Sequence, residues 1–369
     1  MGMQDFWQGK KVFITGHTGF KGAWLSLLLS CLGAEVSGYS LEPPTEPSLF
    51  ELARLESRVH HCVGDIRRIS SLRDCLKRRQ PQVVFHLAAQ SLVGRACLDP
   101  VETFHTNVTG TVNLLEALRS IDSVKAAVIV TSDKCYSDRK WVWGYREEDE
   151  LGGTEPYAAS KACAEIITAC FRHSFFRDSD LAVATARAGN VIGGGDWAQG
   201  RIVPDCVRAC LNGGKVRIRN PGSVRPWQHV LDALSGYLML GEALVTQGKP
   251  FAEAFNFGPA EHESVSVGEM AGMLLPFLEM DADRIEMADD GSPPLKETAV
   301  LRLDSAKARE RLGWQPAWDL KEALRRVAEW SLACARGEDM QIISCLQIGE
   351  YLGTVRKMKN RRNSPWIIK

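Results

Sequence analysis

The chain has no excess of charge of either sign: 45 Lys and Arg balance 45 Asp and Glu in 369 residues. A general nucleic-acid or membrane-surface binder needs a long-range basic field, and this balance excludes one. No apolar run reaches the roughly 20 residues that span a bilayer. The apolar stretch Ala23–Leu32 is too short and sits inside a glycine motif. Residues Met1–Lys11 hold no apolar signal core, so a soluble, cytoplasmic protein is expected. The eleven cysteines (31, 62, 75, 97, 135, 163, 170, 206, 210, 334 and 345) form no C-x-x-C pair. Cys206 and Cys210 have no His or Cys partner at zinc-finger spacing, so scattered thiols in a reducing compartment and no metal are expected. Apolar residues at 45% and charged residues at 24% exclude a disordered chain, a collagen-like repeat and a coiled coil.

What is present is an alternation of short apolar runs with helical patterns. Strands are expected at Lys11–Thr15, Glu35–Tyr39, Val59–Val63, Gln82–Leu87, Ala126–Thr131 and Leu181–Arg187. Between them lie helical patterns at Lys21–Leu32, Ser70–Arg79, Val101–Arg119 and Pro156–Phe171. The strand cores are nearly all apolar, as in parallel strands covered on both faces. Right-handed crossovers then give an α/β, Rossmann-like, doubly wound parallel sheet.

Beyond Arg187 the rhythm breaks. Glycine and proline cluster, and helical patterns follow at Val203–Leu211, Val230–Thr246, Val267–Leu278, Asp304–Arg311 and Leu320–Arg336. The expected division is a dinucleotide-binding domain over 1–188, a smaller and mostly helical substrate domain over 189–350, and a basic tail over 351–369. Arg356–Lys369 carries six basic residues and no acid, which reads as a frayed, solvated end.

Three motifs carry chemistry. The first is Gly16-His17-Thr18-Gly19-Phe20-Lys21-Gly22, between a strand and a helix. Glycine allows close backbone approach to a diphosphate, and the helix N-terminus supplies free N–H groups. The second strand ends without the Asp that grips an adenosine ribose; Ser40 stands there instead. NAD is the expected cofactor, and Lys21 keeps NADP open. Asp65 and Ile66 follow the third strand, where they can meet an adenine; Asp65 can equally cap a helix. Leu87, Ala88, Ala89 and Gln90 end the fourth strand beside the cofactor path, and Asn107 lies on the helix after it.

The second motif, Thr131-Ser132-Asp133-Lys134-Cys135-Tyr136, follows the fifth strand, so its polar side chains enter the crevice where ligands bind. In the third, Tyr157 and Lys161 stand four apart on one helix face. A Tyr has an ordinary pKa of about 10, and a nearby Lys ammonium favours its phenolate.

With these motifs the chain resembles the extended short-chain dehydrogenase/reductase family and, within it, the nucleotide-sugar 4,6-dehydratases. The likeness runs from about Lys10 to about Tyr351, and is densest at Gly16–Leu25, Thr131–Tyr136, Gly189–Trp197 and Arg225–Val230. The last two segments resemble the branch acting on CDP-glucose. The resemblance implies oxidation of the sugar at C4 by NAD, loss of water across C5 and C6, and return of the hydride to C6. It gives Tyr157 as base at the 4-hydroxyl, Ser132 on the same oxygen, Lys161 on the cofactor ribose, and Asp133 as acid for the departing 6-hydroxyl. Lys134 stands where many relatives carry Glu as the C5 base, so it is either that base or a stabiliser of the enolate. The resemblance also implies a homodimer or tetramer built on Val101–Arg119 and Pro156–Phe171, and a place in making deoxysugars such as those of lipopolysaccharide O-antigen.

Asn190, Arg201, Arg208, Arg217, Arg219 and Arg225 are the expected partners of the substrate, since two phosphates need cations and Arg binds them bidentately. Trp197 and Trp227 can stack a pyrimidine or pack in the core. The rival readings are a nucleotide-sugar 4-epimerase, a UDP-N-acetylglucosamine 4,6-dehydratase and a non-catalytic NAD-binding regulator.

Overall fold

The computed structural model describes residues 3–260, 263–287 and 298–362. Seven parallel strands form its main sheet: β1 (Lys11–Thr15), β2 (Glu35–Ser40), β3 (His60–Val63), β4 (Val83–His86), β5 (Ala126–Val130), β6 (Ala182–Ala188) and β7 (Ala254–Phe257). Their spatial order is 3-2-1-4-5-6-7, with Val12 opposite both Val36 of β2 and Val83 of β4. The order therefore reverses between β1 and β4, which opens a crevice at the carboxyl ends of the strands.

Period-two alternation assigns each strand residue to one of two cores. Val12, Ile14, Val83, Phe85, Val128 and Ala184 face one layer, with helices α1 (Phe20–Cys31) and α6 (Val230–Thr246). Phe13, Val84, Ala127, Ile129 and Val183 face the other, with α2 (Ile69–Arg79) and α3 (Gly110–Leu118). Helix α4 (Pro156–Ser174) lies on this second face. The helix expected over Val101–Arg119 forms from Pro100 to Leu118, with a widened π turn at His105–Thr109. A third core joins α5 (Ile202–Leu211), the helix Val267–Leu274 and α7 (Leu320–Ala335). No helix among the described residues is long and apolar enough to cross a membrane.

Two elements depart from the sequence expectation. The seventh strand lies at Ala254–Phe257, beyond the division expected at residue 188, and pairs in parallel with β6. Its four residues are too few to show a strand pattern alone, and Ala254 and Asn256 are disfavoured in strands. The chain thus returns to the sheet through α6 and β7 after leaving it. Met340–Arg362 forms one helix, α8, across the boundary expected at 351, and residues 363–369 of the expected tail lie outside the described residues. Its buried stripe is Met340, Ser344, Gln347, Ile348 and Tyr351, and two of those are polar. Ser344 accepts from Trp330 Nε1 at 2.9 Å and Gln347 donates to the Arg326 carbonyl at 2.8 Å, so these polar residues are held by hydrogen bonds on a face that an apolar pattern fails to mark.

Gly194 sits where a Cβ would stand 2.1 Å from the buried Trp330 ring. Gly272 lies on a helix with nothing within 4 Å of the same position. Gly194→Ala is expected to destabilise by at least ~1–3 kcal/mol through overpacking, and Gly272→Ala to stabilise by ~0.5–1 kcal/mol. Urea unfolding measures both; equal midpoints would contradict the packing described.

Candidate active site

The crevice at the strand ends is one continuous cleft between the sheet and the segment Gly189–Pro204. Its floor is the turn from β1 into α1. Gly16 has φ +77°, and a Cβ there would meet Ala88 N at 2.6 Å; one on Gly22 would meet the Gly16 carbonyl at 2.1 Å. These two glycines are needed by the protein's own packing. At Gly19 the nearest atom to a built Cβ is the Gly16 carbonyl at 3.5 Å, so the space there is open to a ligand. The N–H groups of the first turn of α1 have no intrahelical acceptor. Free donors beside open space fit the diphosphate of a dinucleotide.

Ser40, Thr18, Asp65, Ile66, Leu87, Ala88, Ala89 and Gln90 line this part of the cleft with Phe20 and Lys21. The Asp65 carboxylate holds Arg67 in a bidentate pair, with Nη2 at 2.6 Å and Nε at 2.9 Å, and accepts from the Arg67 N–H at 2.9 Å. These hydrogen bonds keep it below the usual carboxylate range. The Gln90 amide is turned inward, to Leu92 and Thr103.

Three expectations change here. The His17 ring points away from the cleft and lies 2.7 Å from His61 Nδ1. Burial, then His61, push its pKa down to about 3, so only its backbone belongs to the cradle. Asn107 accepts from Gln90 N at 2.8 Å and donates to the Gln90 carbonyl and Ser160 Oγ; it fastens the β4 loop to α4 instead of lining the cleft. Lys21 faces the charges of Arg201, Asp133, Asp196 and Lys161. That is the catalytic end, away from Ser40 and any 2′-phosphate. Burial and Arg201 lower it to about 8.

At the catalytic end, β5 delivers Ser132 and Asp133, and the first turns of α4 deliver Tyr157 and Lys161. Glu155 starts that helix by accepting from Tyr157 N at 2.7 Å and Ala158 N at 2.9 Å. Ser132 donates to Asp133 Oδ1 at 3.0 Å and stands beside Tyr157. Asp133 Oδ2 is buried without a hydrogen-bond partner among the described residues, beside Gly189. Burial raises the pKa of Asp133, against the pull of Lys134, Ser132, Arg225 and Lys21. Lys134 follows, half-buried, on the cleft wall. Lys161 Nζ donates to the Val130 carbonyl at 3.1 Å, and burial lowers it to about 8. Burial pushes Tyr157 up to about 12, opposed by Ser132 and Arg201. In the protein alone the phenolate is thus supported by Ser132 and Arg201, where the sequence suggested Lys161.

On the substrate side Asn190, Arg201, Arg217, Arg219 and Arg225 line the cleft. Arg201 bridges Asp196 and Ser91, each at 2.9 Å. Arg225 is buried and donates to the Val224 and Thr298 carbonyls. Arg208 does not line the cleft: it fastens the carbonyls of Trp197 and Ala198 and pairs with Asp205. Trp227 belongs to the third core, its Nε1 on the Val265 carbonyl at 3.1 Å, while Trp197 packs against that core and Trp330.

Sequence reasoning missed the pair behind these groups. Glu165 and Arg187 form a buried ion pair at 2.8 Å. Glu165 also accepts from Thr131 and from Thr185 at 2.7 Å. Arg187 also donates to Tyr136 Oη at 2.8 Å and the Glu147 carbonyl at 2.9 Å. Tyr136 in turn donates to Asn256 Oδ1 at 2.7 Å. The signal was the helix spacing, since Glu165 continues the face of Tyr157 and Lys161 by one more step of four.

Residues 13–327 match the family described as GDP-mannose 4,6 dehydratase. The chain belongs to this family. It is 47% identical over 359 residues to CDP-glucose 4,6-dehydratase of Salmonella typhimurium, covering 96% of this chain and 99% of that one. It is 31% identical over 252 residues to dTDP-glucose 4,6-dehydratase of Streptomyces griseus, covering 68% and 71%. Two crystal structures share its fold. One is the UDP-glucose 4-epimerase of Stenotrophomonas maltophila, with bound NAD and formylated UDP-arabinopyranose (TM-score 0.78, 21% identity, 89% and 99% covered). The other is DesIV, the dTDP-glucose 4,6-dehydratase of Streptomyces venezuelae, with NAD and TYD bound (0.76, 24%, 89% and 99%).

In this member of the dehydratase family, Arg187→Met leaves a carboxylate buried without its ion-pair partner. The expected loss is ~3–5 kcal/mol of stability, and Arg187→Met with Glu165→Leu is expected to recover much of it. Urea unfolding of the single and double variants measures this. A single variant within ~1 kcal/mol of the parent would contradict the account.

Proposed function

We propose that the chain converts CDP-glucose to CDP-4-dehydro-6-deoxyglucose with NAD as a bound, recycled cofactor. The observation that carries this reading is the strand-end cluster: a tyrosine–lysine pair for oxidation stands beside a buried carboxyl with one unpartnered oxygen. A 4-epimerase needs no acid at C6. The 47% identity to a CDP-glucose 4,6-dehydratase over nearly the whole of both chains supports the choice of nucleotide sugar.

The cradle at Gly16–Gly22, with Ser40, Asp65, Ile66 and Leu87–Gln90, holds the cofactor, and Lys161 takes its ribose hydroxyls. The cofactor accepts a hydride from C4 of the sugar and later returns it to C6. Tyr157 removes the proton of the 4-hydroxyl while Ser132 bonds the same oxygen. Burial alone disfavours that phenolate, so the nearby positive charges must offset it. The new C4 ketone acidifies C5; Lys134 takes the C5 proton, stabilises the enolate once protonated, and gives a proton back to C5 when the hydride reaches C6. Asp133 gives its proton to the departing 6-hydroxyl; its raised pKa suits a donor. Asn190, Arg201, Arg217, Arg219 and Arg225 take the nucleotide diphosphate. Soluble substrates and eleven free thiols support a cytoplasmic location. The product class is the starting point for deoxysugars, including those of lipopolysaccharide O-antigen.

A turnover assay across CDP-, dTDP-, UDP- and GDP-glucose tests the reading. Only the CDP sugar is expected to give a 6-deoxy-4-keto product at a substantial rate, and preference for another nucleotide would overturn it. Tyr157→Phe is expected to lose ~10²–10⁴-fold in turnover with an unchanged melting profile. Asp133→Asn keeps the oxidation and is expected to accumulate reduced cofactor and a 4-keto sugar that retains its 6-hydroxyl. Product formation at the parent rate by either variant removes that residue from the scheme.

We also propose a homodimer, with tetramers open to the same measurement. Leu114 and Leu115 serve the subunit core and Ile167 packs against it. Ile166, Leu98 and Val101 are exposed at 57%, 88% and 66% on neighbouring helices, which suits a twofold contact. Sedimentation is expected to give a dimer or tetramer that Ile166→Arg breaks. A monomeric parent at micromolar concentration would contradict this.

A further inference from the structure

The tip of β2 lacks the carboxylate that reads an adenosine ribose, yet its hydroxyls are arranged to imitate one. Thr18 Oγ1 lies 2.9 Å from the Leu41 carbonyl and 2.6 Å from Ser40 Oγ. A carbonyl oxygen only accepts, and a hydroxyl has one hydrogen. The Thr18 hydrogen therefore goes to Leu41, and the contact between the hydroxyls must be made by the Ser40 hydrogen. What Ser40 has left is lone pairs alone. Thr18 and Ser40 are buried, at 3% and 9% exposure, and both line the cofactor part of the cleft.

We propose that Thr18 determines cofactor selectivity by holding the Ser40 hydroxyl as an acceptor towards the adenosine ribose. A ribose hydroxyl donates to those lone pairs, as it would to a carboxylate. A 2′-phosphate brings oxygens that only accept, so the contact becomes repulsive and leaves both sides unsatisfied. The charges nearby agree with this. Glu42 lines the same end of the cleft, Arg67 is engaged by Asp65 in its bidentate pair, and Lys21 faces the opposite, catalytic end.

This inference rests on the reading of the cradle as an NAD site, and direct binding separates the two. Dissociation constants for NAD⁺ and NADP⁺ are measured by tryptophan-fluorescence titration on the full chain and on Thr18→Val, Thr18→Ser and Ser40→Ala. The parent is expected to prefer NAD⁺. Thr18→Val frees the Ser40 hydrogen to turn to the ligand, and the preference is expected to fall by about tenfold or more, NADP⁺ gaining while NAD⁺ loses. Thr18→Ser keeps the relay and the preference. Ser40→Ala keeps the Thr18–Leu41 bond and is expected to weaken NAD⁺ alone. A parent that binds neither dinucleotide overturns the cofactor reading and this inference with it. A parent that binds NAD⁺, with Thr18→Val changing both affinities by the same factor, overturns the relay alone.

Discussion

The Glu165–Arg187 ion pair ties together the three segments on which the chemistry depends. Glu165 belongs to the helix that carries Tyr157 and Lys161, Arg187 to β6, and their respective partners Thr131 and Tyr136 bracket Ser132 and Asp133. A buried pair is weak evidence for stability in itself, because desolvation opposes the attraction. What it supplies here is position: two charged groups with nearly all their hydrogen bonds made admit one arrangement of helix and strand. Asn256 extends the network to β7 through Tyr136 and the Tyr145 carbonyl, so the last strand of the sheet also braces the catalytic loop.

The electrostatics of the cleft are those of a site awaiting anions. Lys21, Arg201 and Arg225 face Asp133 and Asp196, and Lys161 stands beside Lys21. Lys21 and Lys161 each fall to about 8 because burial, with the repulsion of Arg201 on Lys21 and of Lys21 on Lys161, is not fully offset. The diphosphates of a dinucleotide and a nucleotide sugar would supply the missing negative charge and favour the ammonium forms further. The same burial that depresses the lysines raises Asp133, so one low-dielectric pocket prepares both a cation and a proton donor.

The sheet and the motif positions were legible because their signals are local. An apolar run between turn residues fixes a buried strand, and a glycine triplet after such a run fixes the cradle. Ser132, Asp133, Tyr157 and Lys161 followed from their place at a strand end and on one helix face. Ala254–Phe257 was missed because a strand of four residues is specified by its partner β6, and α8 because Ser344 and Gln347 interrupt its apolar stripe. His17, Asn107 and Arg208 were misjudged for a common reason. Sequence gives their neighbours along the chain, whereas their side chains are committed to His61, Gln90 and Trp197, which only tertiary packing brings near.

The central claim is that one site oxidises C4, expels water from C5 and C6, and returns the same hydride to C6. CDP-glucose deuterated at C4 tests it most directly, mixed with unlabelled substrate and followed by mass spectrometry and NMR. The account predicts that the deuterium appears at C6 of the same molecule that carried it, with one solvent hydrogen at C5. Deuterium retained at C4, washed into solvent, or scrambled between molecules would contradict the account.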